Sequence, residues 1–200
     1  MKIKLATITK PIKYSATFAL LLFCQLTQAA DPVSQYIVDG NIVPKWVSYV
    51  GNSMNWFIPV KNGIAKTERK SLIVTTLKKS NEAKTLNLKW TGKHVKNQWG
   101  GNTLGDSFFG IGRHNIDLSS VEDAAAIAFD IKILRNPTDN VTLSMQCENS
   151  NKCKGDFPIK NILKNIENDK WQQLPIPLNC FNKEGNFNFK QVTTIFSLGN

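Results

Sequence analysis

Apolar residues recur on every second position in the stretch 124–147, AAAIAFDIKILRNPTDNVTLSMQC. Ile127, Phe129, Ile131 and Ile133 form one such row, and Val141, Leu143, Met145 and Cys147 form another. Arg135-Asn136-Pro137-Thr138-Asp139-Asn140 separates them as a polar, proline-containing break. Period-two patterning on both sides of such a break predicts two antiparallel strands, each with one buried face. Thr142, Ser144 and Gln146 then face away from the core on the second strand. A slip of one residue would turn both apolar rows outward, so their register is strongly fixed. The pair is expected to form the centre of the core.

The same reading extends along the chain. Residues 46–51 read as a strand ending in Gly51, and 56–60 as a short strand after the turn Asn52-Ser53-Met54-Asn55. Asn62-Gly63 is a turn dipeptide, and 72–77 is rich in β-branched residues. Leu86, Leu88 and Trp90 alternate with Asn87 and Lys89. The glycine-rich run WGGNTLGDSFFGIG at 99–112 suggests a strand with close backbone approach or a bulge. Residues 159–166 are the one plausible helical turn late in the chain. In WQQLPIPL, residues 171–178, Pro175 and Pro177 share one face, which marks an edge strand. Residues 192–198 close the pattern as a strand. Many short strands with turns roughly every 8–12 residues, and no long helix, indicate an all-β sandwich.

The start of the chain breaks this pattern. Lys2, Lys4, Lys10 and Lys13 precede an apolar run at 16–26, and Thr27-Gln28-Ala29-Ala30 supplies small residues for cleavage. This predicts a secretory signal peptide over 1–30, a leader over 31–42 and a single domain over 43–200. Phe23 before Cys24 does not suit a lipoprotein signal. The chain is therefore expected in the periplasm or outside the cell, with no stable membrane anchor after cleavage.

Charge and cysteine refine the picture. The chain has 25 Lys and Arg against 15 Asp and Glu; subtracting the four lysines of 1–30 leaves 21 − 15, a net +6. These charges are scattered rather than clustered, which argues against a nucleic-acid partner. An exported chain keeps disulfides. Cys147 and Cys153 bracket a short loop, and a bridge there would contribute about 2–3 kcal/mol. Cys180 is then left as a thiol, and its pairing with either of the others is the alternative.

The chemical motifs are sparse. The sequence lacks GxSxG, HExxH, CxxC and GxxxxGK[ST] patterns. His94 and His114 lie far apart, and Asp117, Glu122, Asp123 and Asp130 show no spacing that marks a catalytic pair. A β-sandwich can hold a structural calcium, but no dense acidic loop places one, so no cofactor is assigned. The aromatics are more informative. Sugar rings pack their C–H faces on exposed aromatic rings, with polar neighbours for the hydroxyls. Trp90 and Trp171, inside alternating strands, are assigned to the core. Trp56 and Trp99, beside a turn and a glycine run, are ligand candidates with Tyr49 and Trp46.

Three segments then carry a family resemblance: 124–147, Cys153-Lys154-Gly155, and 171–181 with its WQQLPIPLNCF. With Tyr49-Val50-Gly51, Trp56 and Lys89-Trp90-Thr91-Gly92, they resemble the galactose-binding-like domain of ExoP-type exo-β-glucanases. In that family the domain follows the catalytic domains of family 3 glycoside hydrolases. The resemblance covers about residues 43–200. It implies a jelly-roll β-sandwich that binds a polysaccharide or oligosaccharide, or partners a glycoside hydrolase, without importing a catalytic site. Two departures stand out. Asn81-Glu82-Ala83-Lys84 replaces the family's usual acidic-basic segment, and the chain stops at Phe196-Ser197-Leu198-Gly199-Asn200, where the family continues into another strand. The alternatives to a binding domain are a β-sandwich hydrolase or lyase using surface carboxylates, and a structural, envelope-associated protein.

Overall fold

A computed structural model describes residues 2–4, 35–79, 82–91 and 107–199. The run 16–26, His94 and Trp99 lie outside the described residues. The chain passes through β1 (Lys2–Lys4), β2 (Ile37–Val38), β3 (Asn41–Ile42), β4 (Val47–Asn52), β5 (Asn55–Pro59), β6 (Ala65–Lys66), β7 (Leu72–Lys79) and β8 (Glu82–Trp90). It continues through β9 (Phe108–Ile116), β10 (Ala126–Lys132), β11 (Thr142–Cys147), β12 (Lys154–Pro158), α1 (Lys160–Asn165), β13 (Trp171–Pro177) and β14 (Val192–Gly199). No described helix is long and apolar enough to cross a membrane.

Two six-stranded sheets form the body, ordered β13-β10-β1-β8-β7-β6 and β12-β11-β14-β9-β4-β5, with β2-β3 as a separate hairpin. The pairings between named strands are antiparallel. The all-β sandwich expected from the pattern is thus the observed architecture.

The sheets meet through their period-two apolar rows. Leu86 and Leu88 of β8 and Ile127, Phe129 and Ile131 of β10 line the inner face of the first sheet. Phe109 and Ile111 of β9, Leu143 and Met145 of β11, and Phe196 and Leu198 of β14 line that of the second. Phe129 meets Phe196 edge-to-face across the gap, at 5.3 Å between centroids and 84° between planes. Burying each such side chain contributes about 1.5–3 kcal/mol. Phe109 approaches the same ring at 6.3 Å, which makes Phe196 the joint between the layers.

One expectation is corrected. The two strands of 124–147 do not form a hairpin. β10 pairs with β13 and β1 in the first sheet, whereas β11 pairs with β12 and β14 in the second. The polar break between them arches from one layer to the other. The alternation is the same either way, because each strand needs only one face covered, and the opposite sheet covers it as well as a neighbour would. Other readings hold. The proline-bearing β13 is an edge strand, with Pro175 and Pro177 opposite Ala128 and Ala126. The helical turn falls at α1. Residues 36–42, read as patternless leader, contain the β2–β3 hairpin. β14 sits at the centre of its sheet, flanked by β11 and β9.

Cys147 and Cys153 are joined, closing the loop between β11 and β12, and Cys180 is a free thiol. The Cys147 N–H also donates to the Cys153 carbonyl at 2.8 Å, so the loop is held by backbone as well as by sulfur. Gly155 lies just beyond it. A Cβ there would collide with the Phe181 carbonyl oxygen, so only glycine lets β12 pass beside residues 178–181. Removing the bridge in a Cys147→Ala/Cys153→Ala variant is expected to lower stability by about 2 kcal/mol. Urea unfolding followed by tryptophan fluorescence measures it, and an unchanged midpoint would contradict the staple role.

Candidate functional site

The outward rows of the second sheet build the site. In β9 the inward residues are Phe109 and Ile111, which leaves Phe108, Gly110 and Gly112 on the other face. In β11 the inward Leu143 and Met145 leave Thr142, Ser144 and Gln146 there. Bulges in β14 bring Thr193 and Thr194 toward the same face. Together with β4, β5 and β12 these rows enclose a groove of about 1100 Å³.

One end is aromatic. Trp56 and Phe57 are 61% and 53% exposed, a large apolar area to leave in water. Tyr49 lies against Phe57 at 4.9 Å with a 34° tilt and against Phe108 at 6.1 Å edge-on. Trp56 stands over Phe108 at 6.4 Å. The glycine run explains the floor. A Cβ on Gly110 would lie 2.6 Å from the Tyr49 ring, so the absent side chain is what lets that ring lie down on β9.

Asn52 positions the aromatic hairpin. It is 1% exposed, and its Oδ1 accepts from the Met54 and Asn55 amides at 3.1 and 3.2 Å. Its Nδ2 donates to the Glu68 carbonyl at 3.1 Å and to Ser71 Oγ at 3.3 Å. This buried amide therefore shapes the turn that delivers Trp56 and fastens it to the segment before β7.

The other end is polar. Ser144 Oγ donates to Asp156 Oδ1 at 2.6 Å, and Lys154 Nζ holds the same oxygen at 2.9 Å. Gln146 Nε2 donates to Asn151 Oδ1 at 3.2 Å. The Tyr49 hydroxyl and Thr194 Oγ1, 3.1 Å apart, link the two ends. The groove thus offers ring faces beside a fixed set of donors and acceptors, the arrangement that suits a polyhydroxylated ligand. Among the described residues, no three His, Cys, Asp or Glu gather where a metal could be held.

The sequence candidates separate accordingly. Trp56 and Tyr49 line the groove, and Trp99 lies outside the described residues. Trp46 does not reach it. Its side chain is 4% exposed and packs edge-to-face on Tyr36 at 4.6 Å, because the β2–β3 hairpin folds over it. Trp171, assigned to the core, is 39% exposed on the edge strand β13, where no described strand covers its outer side. Trp90 is half-buried and donates its indole N–H to the Ser107 carbonyl at 3.0 Å. Phe57, Phe108, Asp156 and Lys154 carry no sequence signal that singles them out. The signal for Ser144 and Gln146 is the outward row of β11, but a period of two does not tell a groove from open solvent.

A galactose-binding-domain-like β-sandwich is the class that this fold and groove define. The family model described as Exop_C, galactose-binding domain-like, matches residues 46–200, and the chain belongs to that family. Its fold is similar to that of the exo-1,3/1,4-β-glucanase ExoP from a Pseudoalteromonas species, with a TM-score of 0.60 at 13% identity. That match covers 80% of this chain but 18% of the enzyme. The separately solved extra C-terminal domain (X) of the same enzyme matches with TM-score 0.60 and 13% identity, covering 80% of this chain and 81% of the domain. No curated protein matches the chain.

Two tyrosines, Tyr49 in the groove and Tyr36 against Trp46, give the fold a pH signature. Burial pushes the Tyr36 hydroxyl from 10.0 up to about 12. Burial also raises Tyr49, opposed in part by its hydrogen bond to Thr194. Both fold best as neutral phenols, so their contribution is complete below the unfolded value near 10.0 and is lost as pH rises through the folded values. Melting temperature is expected to fall between about pH 10 and 12, and Tyr36→Phe should flatten that fall; an unchanged slope would refute the assignment. Asn52→Ala, which strips two turn amides of their acceptor, is expected to cost about 1–3 kcal/mol in chemical unfolding. Full native stability in that variant would show the turn to be self-supporting.

Proposed function

We propose that this chain is an exported, non-catalytic carbohydrate-binding domain that acts beside a glycoside hydrolase in polysaccharide degradation, with β-glucan as its ligand class. The observation that carries this reading is the exposed Trp56–Phe57 pair, set over Tyr49 and Phe108 at one end of a groove whose other end is polar. Glucan rings present apolar C–H faces to such aromatics, while Ser144, Gln146, Asn151 and the Lys154–Asp156 pair meet the hydroxyls. Family membership and the β-glucanase activity named for the similar enzyme support the ligand class. Among the described groove residues Asp156 is the one carboxylate, and it is engaged by Lys154 and Ser144. Glycoside hydrolysis works with a facing carboxylate pair, so this lining favours binding over the hydrolase reading. The partner, in this reading, is the catalytic body of a glycoside hydrolase, and the site of action is the periplasm or the exterior. No cofactor is assigned to binding.

Affinity electrophoresis through gels containing soluble mixed-linkage β-glucan tests the proposal. The native chain should be retarded, with EDTA making no difference. Trp56→Ala should weaken retention about tenfold, roughly 1.4 kcal/mol, while leaving the unfolding midpoint nearly unchanged. Free migration of the native chain through every glucan tried would remove the sugar-binding assignment.

A further inference from the structure

The groove reaches from one side of the second sheet to the other. Trp56 and Phe57 belong to β5, Lys154 and Asp156 to β12, and these are the first and last strands of that sheet. All four residues line the same cavity. Neighbouring strands lie roughly 4.8 Å apart, so the two ends are about 24 Å apart along the sheet. Between them β9 and β14 contribute Gly112, Thr194, Ser197 and Gly199, and none of these side chains is long enough to wall the path. A disaccharide stacked on Trp56 is too short to reach β12. A glycan chain laid across the strands meets both ends.

The polar end has a definite recognition chemistry. Lys154 and Asp156 alternate along β12 with Gly155 and Phe157, and they lie opposite Gln146 and Ser144, so they share the groove face. Ser144 Oγ and Lys154 Nζ donate to Asp156 Oδ1 at 2.6 and 2.9 Å, and Lys154 Nζ also reaches Oδ2 at 3.2 Å. A carboxylate has about four acceptor sites and an ammonium group three donors. An acceptor site on Oδ2 and a donor on Nζ are therefore left side by side. The two side chains are 44% and 52% exposed, so both remaining groups are open to a ligand. Their complement is a pair of hydroxyls on adjacent carbons, one donating to the carboxylate while its neighbour accepts from the ammonium. Hydroxyls on carbons that are not neighbours do not meet both groups at once.

We infer that the groove takes an internal stretch of glycan extended across the sheet from β5 to β12, and that Lys154 and Asp156 select in it a unit with two free hydroxyls on adjacent carbons. In a β-glucan that unit is 1,4-linked, with its 2- and 3-hydroxyls both free. A 1,3-linked unit inside a chain has its 3-oxygen tied up in the linkage, and a site built to bond that hydroxyl discriminates against it. The inference rests on the glucan reading, to which it adds the linkage that the polar end selects and the length of chain that the groove holds.

Isothermal titration of the native chain tests both additions. Cellohexaose should bind at least about tenfold more tightly than cellobiose, and mixed-linkage β-glucan at least about tenfold more tightly than linear β-1,3-glucan, whose adjacent free hydroxyls are confined to chain ends. Asp156→Asn removes the charged acceptor and Lys154→Met the donor. Each should bring the two polymers to near-equal affinity with the urea midpoint unchanged, and the second decides if the first does not fold. Trp56→Ala should weaken both polymers alike and keep the preference between them. Equal native affinity for the two polymers, or a preference that survives Asp156→Asn and Lys154→Met, would overturn the inference and leave glucan binding standing. Cellobiose binding as tightly as cellohexaose would overturn the extended arrangement. No heat of binding with any of the four glucans would overturn the glucan reading itself.

Discussion

The contact between Phe129 and Phe196 carries the structure. One ring belongs to each sheet, both are essentially removed from water, and their edge-to-face meeting fixes the distance between the layers. Every inward row is set against that plane. Because side chains alternate across a strand, fixing the inward rows also fixes the outward ones. The groove is therefore a consequence of the core. Thr142, Ser144 and Gln146 face it because Leu143, Met145 and Cys147 do not.

Small residues then turn an outward sheet face into a site. Gly110 gives the Tyr49 ring a place to lie, and the bulges of β14 put Thr193 and Thr194 on the groove side. Asn52 satisfies the turn that carries Trp56 and Phe57. The Ser144–Asp156–Lys154 cluster is fixed at the opposite end by β11–β12 pairing and by the Cys147–Cys153 staple just beyond it. Rigid strands thus hold both ends of the groove, which favours a preorganised binding surface over one shaped by its ligand.

The two sheets differ in how their centres are filled. The second is closed over its own centre by β14, and its polar face is the groove. The first has β1 between β8 and β10, with the apolar rows of those two strands turned to the core. The chain belongs to a family of galactose-binding-like domains and matches 18% of a much larger enzyme, and its groove lies on the outer face of the second sheet.

Much of this was legible in the residues. Period-two rows determined which residues are buried, prolines marked β13 as an edge, glycines marked the close approach at β9, and the ordered motifs marked the family. The exposed Trp56 beside its turn was visible as well. Pairing was not. Residues 126–132 and 142–147 have the pattern of a hairpin and instead belong to opposite sheets, because alternation specifies a buried face without specifying what buries it. The same limit applies to the aromatics: Trp46 is sealed under the β2–β3 hairpin and Trp171 stands at an open edge, while Phe57, Phe108 and Asp156 came into the site only once distant strands were brought side by side. Sequence determines the face each side chain takes; tertiary structure alone decides which faces meet and which remain open to a ligand.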